Sequence, residues 1–236
     1  MAHGSPPAPP FTTVRVSPEV AGLGIAYVFI QASGLCNGPA DDAFEQVLAE
    51  RTAALLQSLA PDAIDNDPVL RGYRRLHERV GATGRKNLAS PEALLRGLIG
   101  RRRLPRVNLL VDLYNLVSVE TRLSMGAHDL AHVAGDVVLR LTDGSERFHP
   151  LGSAGPEPVR PGEYAYVDAA NDVLCRLDVR QAEKTRVTAD MTDCLLIVQG
   201  NDATDDALLR RATDRLLELS ARHCGGSYQV LTAPWQ

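Results

Sequence analysis

Apolar residues recur at helical spacing across roughly residues 41–118 and in short alternating runs after residue 130, so the chain predicts helices first and strands afterwards. Two strands precede the helices, at residues 14–16 and 23–31. The second is rich in β-branched and aromatic residues between Gly24 and Gly34, and the two are expected to pair. Residues 41–59 form an amphipathic helix that Asp41 or Asp42 can cap, with Phe44, Val47, Leu48, Leu55 and Leu59 inward and Pro61 as its stop. Asp67-Pro68 opens a second helix with Val69, Tyr73, Leu76 and Val80 inward, arginines outward and Gly81 at its end. Ser90-Pro91-Glu92 has the order of a helix cap and first turn, and a further helix is expected over residues 105–118.

Strands follow at residues 137–141, 146–148, 164–167, 173–176 and 194–198, with Asp143-Gly144 as a hairpin turn between the first two and residues 153–162 as a surface loop. Residues 204–223 close the chain as a helix burying Leu208, Ala212, Leu216 and Leu219, with Asp202, Asp205 and Asp206 at its start as capping groups and Gly225-Gly226 as its stop. A last strand, residues 228–231, adds to a sheet edge. This order predicts an α+β fold, helices packed on a mixed or antiparallel β-sheet. One domain is expected over residues 11–236: a strand-helix extension (11–65), a core (65–200) and a closing helix and strand (201–236). Residues 1–10, with four prolines, are expected to be a disordered tail.

Within the run from residue 104 to residue 118, Asn108, Asp112 and Asn115 interrupt an otherwise apolar segment. A buried amide without a hydrogen bond costs roughly 1–3 kcal/mol, so three such groups must brace one another, hold a turn or line a pocket. On a helix they fall at i, i+4 and i+7, on one face.

Val107-Asn108-Leu109-Leu110-Val111-Asp112-Leu113-Tyr114-Asn115-Leu116-Val117 resembles the run Ile-Asn-x-Val-Val-Asp-x-Thr-Asn-Tyr-Val in the B3/B4 domain of the phenylalanyl-tRNA synthetase beta subunit. The likeness continues at Met125-Gly126-Ala127-His128-Asp129-Leu130, where the family has Met-His-Ala-Phe-Asp-Leu. It resumes at Val187-Thr188-Ala189-Asp190-Met191-Thr192-Asp193-Cys194-Leu195-Leu196. Ser90-Pro91-Glu92-Ala93-Leu94-Leu95, Gly162-Glu163 and Val173-Leu174-Cys175-Arg176 are similar to the free-standing B3/B4 proteins. The resemblance covers roughly residues 65–200. It implies a B3/B4-like fold and a pocket of the kind that hydrolyses tyrosine mistakenly joined to tRNA.

Taken position by position, the resemblance keeps the pocket asparagine as Asn115. It puts Tyr114 where the family has threonine, Leu109 where it has arginine, Gly126 where it has histidine and Ile197 where it has the glutamate that senses the tyrosine hydroxyl. An apolar group in place of that carboxylate favours an apolar or small side chain over tyrosine. Arg176 and Arg180, on one face of a strand, are expected to offer planar donors to the pocket; the alternative is that they pair with Asp168, Glu163 or Asp178 to close the sheet. His128 beside Asp129 is either a base held by a carboxylate or a surface or core histidine. The substrate-pocket set is thus Asn115, Tyr114, Gly126, His128, Arg176 and Arg180, with Asn108 and Asp112 as structural polar groups and no catalytic residue assigned. Positioning of water and of the tRNA terminal hydroxyl can suffice for ester hydrolysis in such a pocket.

Charge adds a second surface. Residues 71–106 hold eleven Lys or Arg against two acids, a net of +9, which leaves −13 for the rest of a chain whose total is −4. Arg71, Arg74, Arg75, Arg85, Lys86, Arg101, Arg102 and Arg103 are candidate phosphate contacts for RNA, against the alternative of a solvated helical face balanced by acids such as Asp41, Asp42, Asp205 and Asp206. No apolar stretch approaches the roughly 20 residues of a membrane span, and the first ten residues lack the apolar run of a secretory signal. The 44% hydrophobic content supports a sizeable core. The four cysteines, Cys36, Cys175, Cys194 and Cys224, form no Cys-x-x-Cys pair; Cys175 and Cys194 read as small buried hydrophobes, and the chain as cytoplasmic and reduced. Glu183 and Lys184 read as solvated turn residues. His132 and His149 have no partner at metal-ligand spacing, Gly22-Leu23-Gly24 lacks the rest of a dinucleotide fingerprint, and no metal or other cofactor is expected.

The sequence therefore supports a tRNA-binding B3/B4-type protein that hydrolyses a mischarged aminoacyl ester in trans. Two rivals stand beside it: a non-catalytic module binding RNA, a free amino acid or another small carboxylate, and an enzyme acting on a non-RNA substrate in the same pocket.

Overall fold

The computed structural model describes residues 13–236 except Pro61, and at Arg85 the backbone only. The expected tail and the Pro61 helix stop lie outside the described residues. The fold is α+β, but with two sheets where one was expected: a five-stranded sheet ordered β1-β4-β5-β6-β7 and a four-stranded sheet ordered β3-β8-β2-β9. The first comprises β1 (Val14–Val16), β4 (Val137–Leu141), β5 (Tyr164–Asp168), β6 (Val173–Arg176) and β7 (Arg180–Gln181). The second comprises β2 (Tyr27–Ser33), β3 (Ser124–Asp129), β8 (Cys194–Gln199) and β9 (Ser227–Thr232). Among the strand pairs of the described residues, only β1–β4 is parallel. The first two strands do not pair: β1 joins β4, and β2 lies between β8 and β9 in the other sheet.

Strand alternation divides the core. Val28, Ile30, Leu196 and Val198 face the helices, packing with Leu113 and Val117 of α6 (Leu109–Thr121) and with Leu209 and Leu216 of α7 (Asp206–Cys224). Phe29, Leu195 and Ile197 face the five-stranded sheet and meet Leu139, Tyr164, Tyr166 and Leu174. The molecule is therefore layered as helices, sheet and sheet. The outer face of the five-stranded sheet is covered by Phe148 and Val159 lying against Ala165, Val167 and Val173. Residues 146–148 form no strand beyond a single Arg147–Asp172 bridge. Asp143-Gly144 is not a hairpin turn either, because Glu146 accepts both of their amides at 3.0 Å and holds a local loop, while β4 pairs with β5.

Capping chemistry sets the helix starts. After the single-turn α1 (Pro18–Ala21), Asp41 accepts from Phe44 N at the head of α2 (Asp42–Ser58). Asp67 accepts from Val69 N and Leu70 N at the head of α4 (Pro68–Arg79), after the short α3 (Ala63–Asn66), and Asp205 caps α7 through Leu208 N. Ser90 does not cap α5 (Ser90–Arg101); it is the first helical residue, and its hydroxyl reaches Ser124 Oγ at 2.9 Å.

α6 begins at Leu109, four residues later than the sequence suggests, because Asn108 is its cap. Asn108 Oδ1 accepts from Val111 N, and its Nδ2 donates to Val187 O at 3.0 Å. Asn37 completes the clasp, accepting from Leu110 N and donating to Asn108 Oδ1 and Thr188 O. Asp112 turns back to accept from Val107 N and Arg106 Nε at 2.9 and 2.7 Å. Asn108 therefore does not share a helical face with Asp112 and Asn115. Among the described residues no helix is long and apolar enough to cross a membrane. Replacing Asn108→Ala removes the cap and leaves Val187 O without its donor; a loss of about 1–2 kcal/mol is expected in urea unfolding, whereas an unchanged midpoint would show that the clasp is dispensable.

Candidate functional site

The two sheets diverge between the edge strand β3 and the β6–β7 edge, and a cavity of about 180 Å³ occupies that seam. Gln181 Nε2 bridges it by donating to Ala127 O at 2.5 Å. Tyr114 and Asn115 approach from the first turns of α6, and Ser90 from α5. On β3, Gly126 and His128 are two residues apart and share a face, opposite Ile197 and Leu195 of β8. Four of the six sequence-predicted pocket residues, Asn115, Tyr114, Gly126 and His128, thus line one cavity.

The remaining two do not. Arg176 and Arg180 are cross-strand partners, as their alternation implied, but both guanidiniums are held by carboxylates. Arg176 pairs with Glu163 at 3.2 Å and donates to Asn87 Oδ1, while Arg180 makes a two-pronged contact with Glu157 at 2.7 and 3.1 Å. Their expected role as pocket donors is corrected to closure of the sheet edge.

At Gly126 a Cβ would meet nothing within 4 Å, so the cavity continues over the position where the resembling family carries histidine. His128 is one strand alternation further along. Its Nδ1 lies 2.9 Å from Thr185 Oγ1, not from Asp129, which accepts from Ala131 N instead. Burial pushes its pKa down to about 4, so the ring is neutral at physiological pH and acts as a hydrogen-bonding group. Asn115, nine-tenths buried, has no hydrogen-bond partner for its amide among the described residues. Burial raises the Tyr114 hydroxyl and pushes the Cys175 thiol up to about 12, which leaves Cys175 a protonated wall group.

Two polar groups in the wall, Asp178 and Gln199, were not among the expected pocket residues; Asp178 entered only as a possible partner for Arg176 or Arg180. Asp178 Oδ1 receives His77 Nε2 at 2.5 Å and the Tyr164 hydroxyl at 3.1 Å, while its Oδ2 is buried without a partner. Burial opposes charge on His77, but the Asp178 carboxylate outweighs it and the net shift is upward. Gln199 accepts the Tyr166 hydroxyl at 2.7 Å on Oε1, and its Nε2 is likewise buried and unpartnered. Both residues line the cavity.

Five of the eleven basic residues of the segment are paired internally. Arg74 and Arg96 pair with Glu92 and Asp65, Arg75 and Arg79 with Asp202, and Arg106 with Glu45 and Asp112. The balancing acids differ from those the sequence suggested. Arg71, Lys86, Arg101, Arg102 and Arg103 have no ion-pair partner among the described residues, and Arg102 and Arg103 border a groove against α2. The side chain of Arg85 lies outside the described residues. Lys184, expected to be solvated, bridges Asp168 and Asp172 at 2.6 and 2.7 Å.

A family model of the B3/4 domain matches residues 72–225, and the chain belongs to that family. Among solved structures, an N-terminal fragment of the phenylalanyl-tRNA synthetase beta subunit from Pyrococcus horikoshii is similar at 15% identity and a TM-score of 0.46, over 92% of this chain and 50% of that one. The chain thus spans half the length of that fragment. None of the curated proteins matches it.

The buried His128 predicts an acid limb in stability. Its pKa lies near 4 in the folded state against the ordinary histidine value of 6.5, so the unfolded chain binds the extra proton first and stability falls as pH drops from 6.5 toward 4. The loss is about 3 kcal/mol, and His128→Gln should flatten it in urea titrations at stepped pH. His77 acts in the opposite sense and a higher window, contributing below pH 6.5 and losing its contribution as pH rises through its elevated folded value. An unaltered acid limb in the His128 variant would contradict the assignment.

Proposed function

We propose that the chain is a tRNA-binding B3/B4 protein whose inter-sheet cavity takes the amino-acid end of an aminoacylated tRNA and hydrolyses a mischarged ester in trans. The observation that carries this is the cavity itself: small, reachable at Gly126, and walled by an unpartnered Asn115 amide, a neutral His128 and apolar Met125, Leu177 and Ile197. Its volume compares with the ~150 Å³ site that accommodates benzene in an engineered core, which suits one small side chain with its acyl group. Apolar Ile197 favours a small or apolar side chain over tyrosine. With Cys175 held as the thiol and His128 a weak base, hydrolysis would rely on orienting a water and the terminal ribose hydroxyl. Arg71, Lys86, Arg101, Arg102 and Arg103 would hold phosphates, in a cytoplasmic setting that suits the four free thiols.

The internal pairing of Arg74, Arg75, Arg79, Arg96 and Arg106 favours a second reading, a non-catalytic module that binds a free amino acid or other small ligand in the same cavity. A deacylation panel over differently charged tRNAs separates the two. At least one small or apolar aminoacyl ester should be cleaved, and Asn115→Ala and Gly126→Val should each lower that rate tenfold or more with tRNA affinity intact. Arg102→Ala with Arg103→Ala should weaken tRNA binding and reduce its salt dependence. Intact esters throughout the panel would remove catalysis, and salt-independent binding would remove the RNA surface.

A further inference from the structure

Buried polar groups are almost always hydrogen-bonded, so two exceptions on residues that line one cavity call for a common partner. Asp178 Oδ2 is an unmet acceptor and Gln199 Nε2 an unmet donor; Asp178 and Gln199 are 5% and 2% exposed. Neither orientation is accidental. His77 and Tyr164 occupy Oδ1 of Asp178, and Tyr166 occupies Oε1 of Gln199, so in each case a second contact fixes which atom is left free. Behind Asp178, His77 Nδ1 is 2.8 Å from Asn87 O, which can only accept. Nδ1 therefore carries a hydrogen, and with Nε2 also donating to Asp178 Oδ1 the ring holds both protons and lends Asp178 positive character.

An anion is the wrong occupant beside the carboxylate, and a hydrocarbon would leave both atoms unmet. A group carrying both a nitrogen donor and a carbonyl acceptor meets both demands, and an aminoacyl ester carries that pair at its α-carbon. We infer that Asp178 and Gln199 are the specificity-determining residues of the cavity, Asp178 Oδ2 accepting from the α-amino group and Gln199 Nε2 donating to the adjacent carbonyl. This rests on the cavity being an aminoacyl site, and it adds that the amine is read directly, so N-acylated or deaminated analogues are rejected. Apolar Ile197, Leu177 and Met125 are left to contact the side chain.

Ligand-observed NMR titrations with L-alaninamide, N-acetyl-L-alaninamide and propionamide test this on the intact protein without any ester to cleave. Propionamide is smaller than alaninamide and lacks only the amine, so tighter binding of alaninamide cannot come from steric fit. Alaninamide should bind at least tenfold more tightly than either analogue. Asp178→Asn should erase that preference, and Gln199→Leu should weaken alaninamide and propionamide together. Equal binding of alaninamide and propionamide, no saturable binding of alaninamide, or a preference that survives in Asp178→Asn overturns the inference. The wild-type comparison needs no variant to fold. Loss of deacylation across the charged-tRNA panel with amine preference retained removes hydrolysis but not amine recognition; deacylation without amine preference does the reverse.

Discussion

The four-stranded sheet buries both of its faces, and that constraint organises the rest of the molecule. An antiparallel sheet commonly leaves one face to water. Here Val28, Ile30, Leu196 and Val198 pack on helices, while Phe29, Leu195 and Ile197 pack on a second sheet. Two twisted sheets cannot stay in contact along every edge. Where β3 and the β6–β7 edge part, Gly126 leaves a void open on the inner face of β3, between Ser124 and His128. The site is a consequence of layering: it needs the inner face of one sheet, the edge of the other and the first turns of α6 in register.

That register depends on the polar clasp at the head of α6. Asn37, Asn108 and Asp112 spend their hydrogen-bonding capacity on backbone groups, tying the helix start to residues 187 and 188. Asn115, two turns along, has the same chemistry and the opposite fate, since its amide faces the cavity. Tyr73 extends the same logic at the far side, its hydroxyl accepting from Ser124 N and donating to Gln199 O, so that the ends of β3 and β8 nearest the cavity share one buried anchor. Satisfied polar groups build the frame, and the unsatisfied atoms of Asp178 and Gln199 belong to residues that line the cavity.

Much of this was legible in the chain. The helix periods, the caps at Asp41, Asp67 and Asp205 and the convergence of Tyr114, Asn115, Gly126 and His128 follow from local spacing and from likeness to the B3/B4 family. Long-range pairing was not legible. Nothing local tells β2 that its neighbours are β8 and β9, and an alternating run does not say which of two sheets it joins. The Arg176 and Arg180 alternation was sound, and Glu163, one of the carboxylates the sequence offered as a partner, does hold Arg176, whereas Glu157, the partner of Arg180, lies outside that run and was not named. Asp178 was read only as a possible partner for those arginines, and Gln199 ends an apolar run as a solvent-exposed strand end would; only the fold brings His77 and Tyr166 against them.

A crystal structure with a non-hydrolysable aminoacyl-adenosine amide tests most directly whether the seam is a ligand site. The aminoacyl group should appear in the cavity between Asn115, Gly126 and His128, with the adenosine outside it. Ligand seated elsewhere on the surface, with ordered waters alone between Asp178 and Gln199, would contradict it.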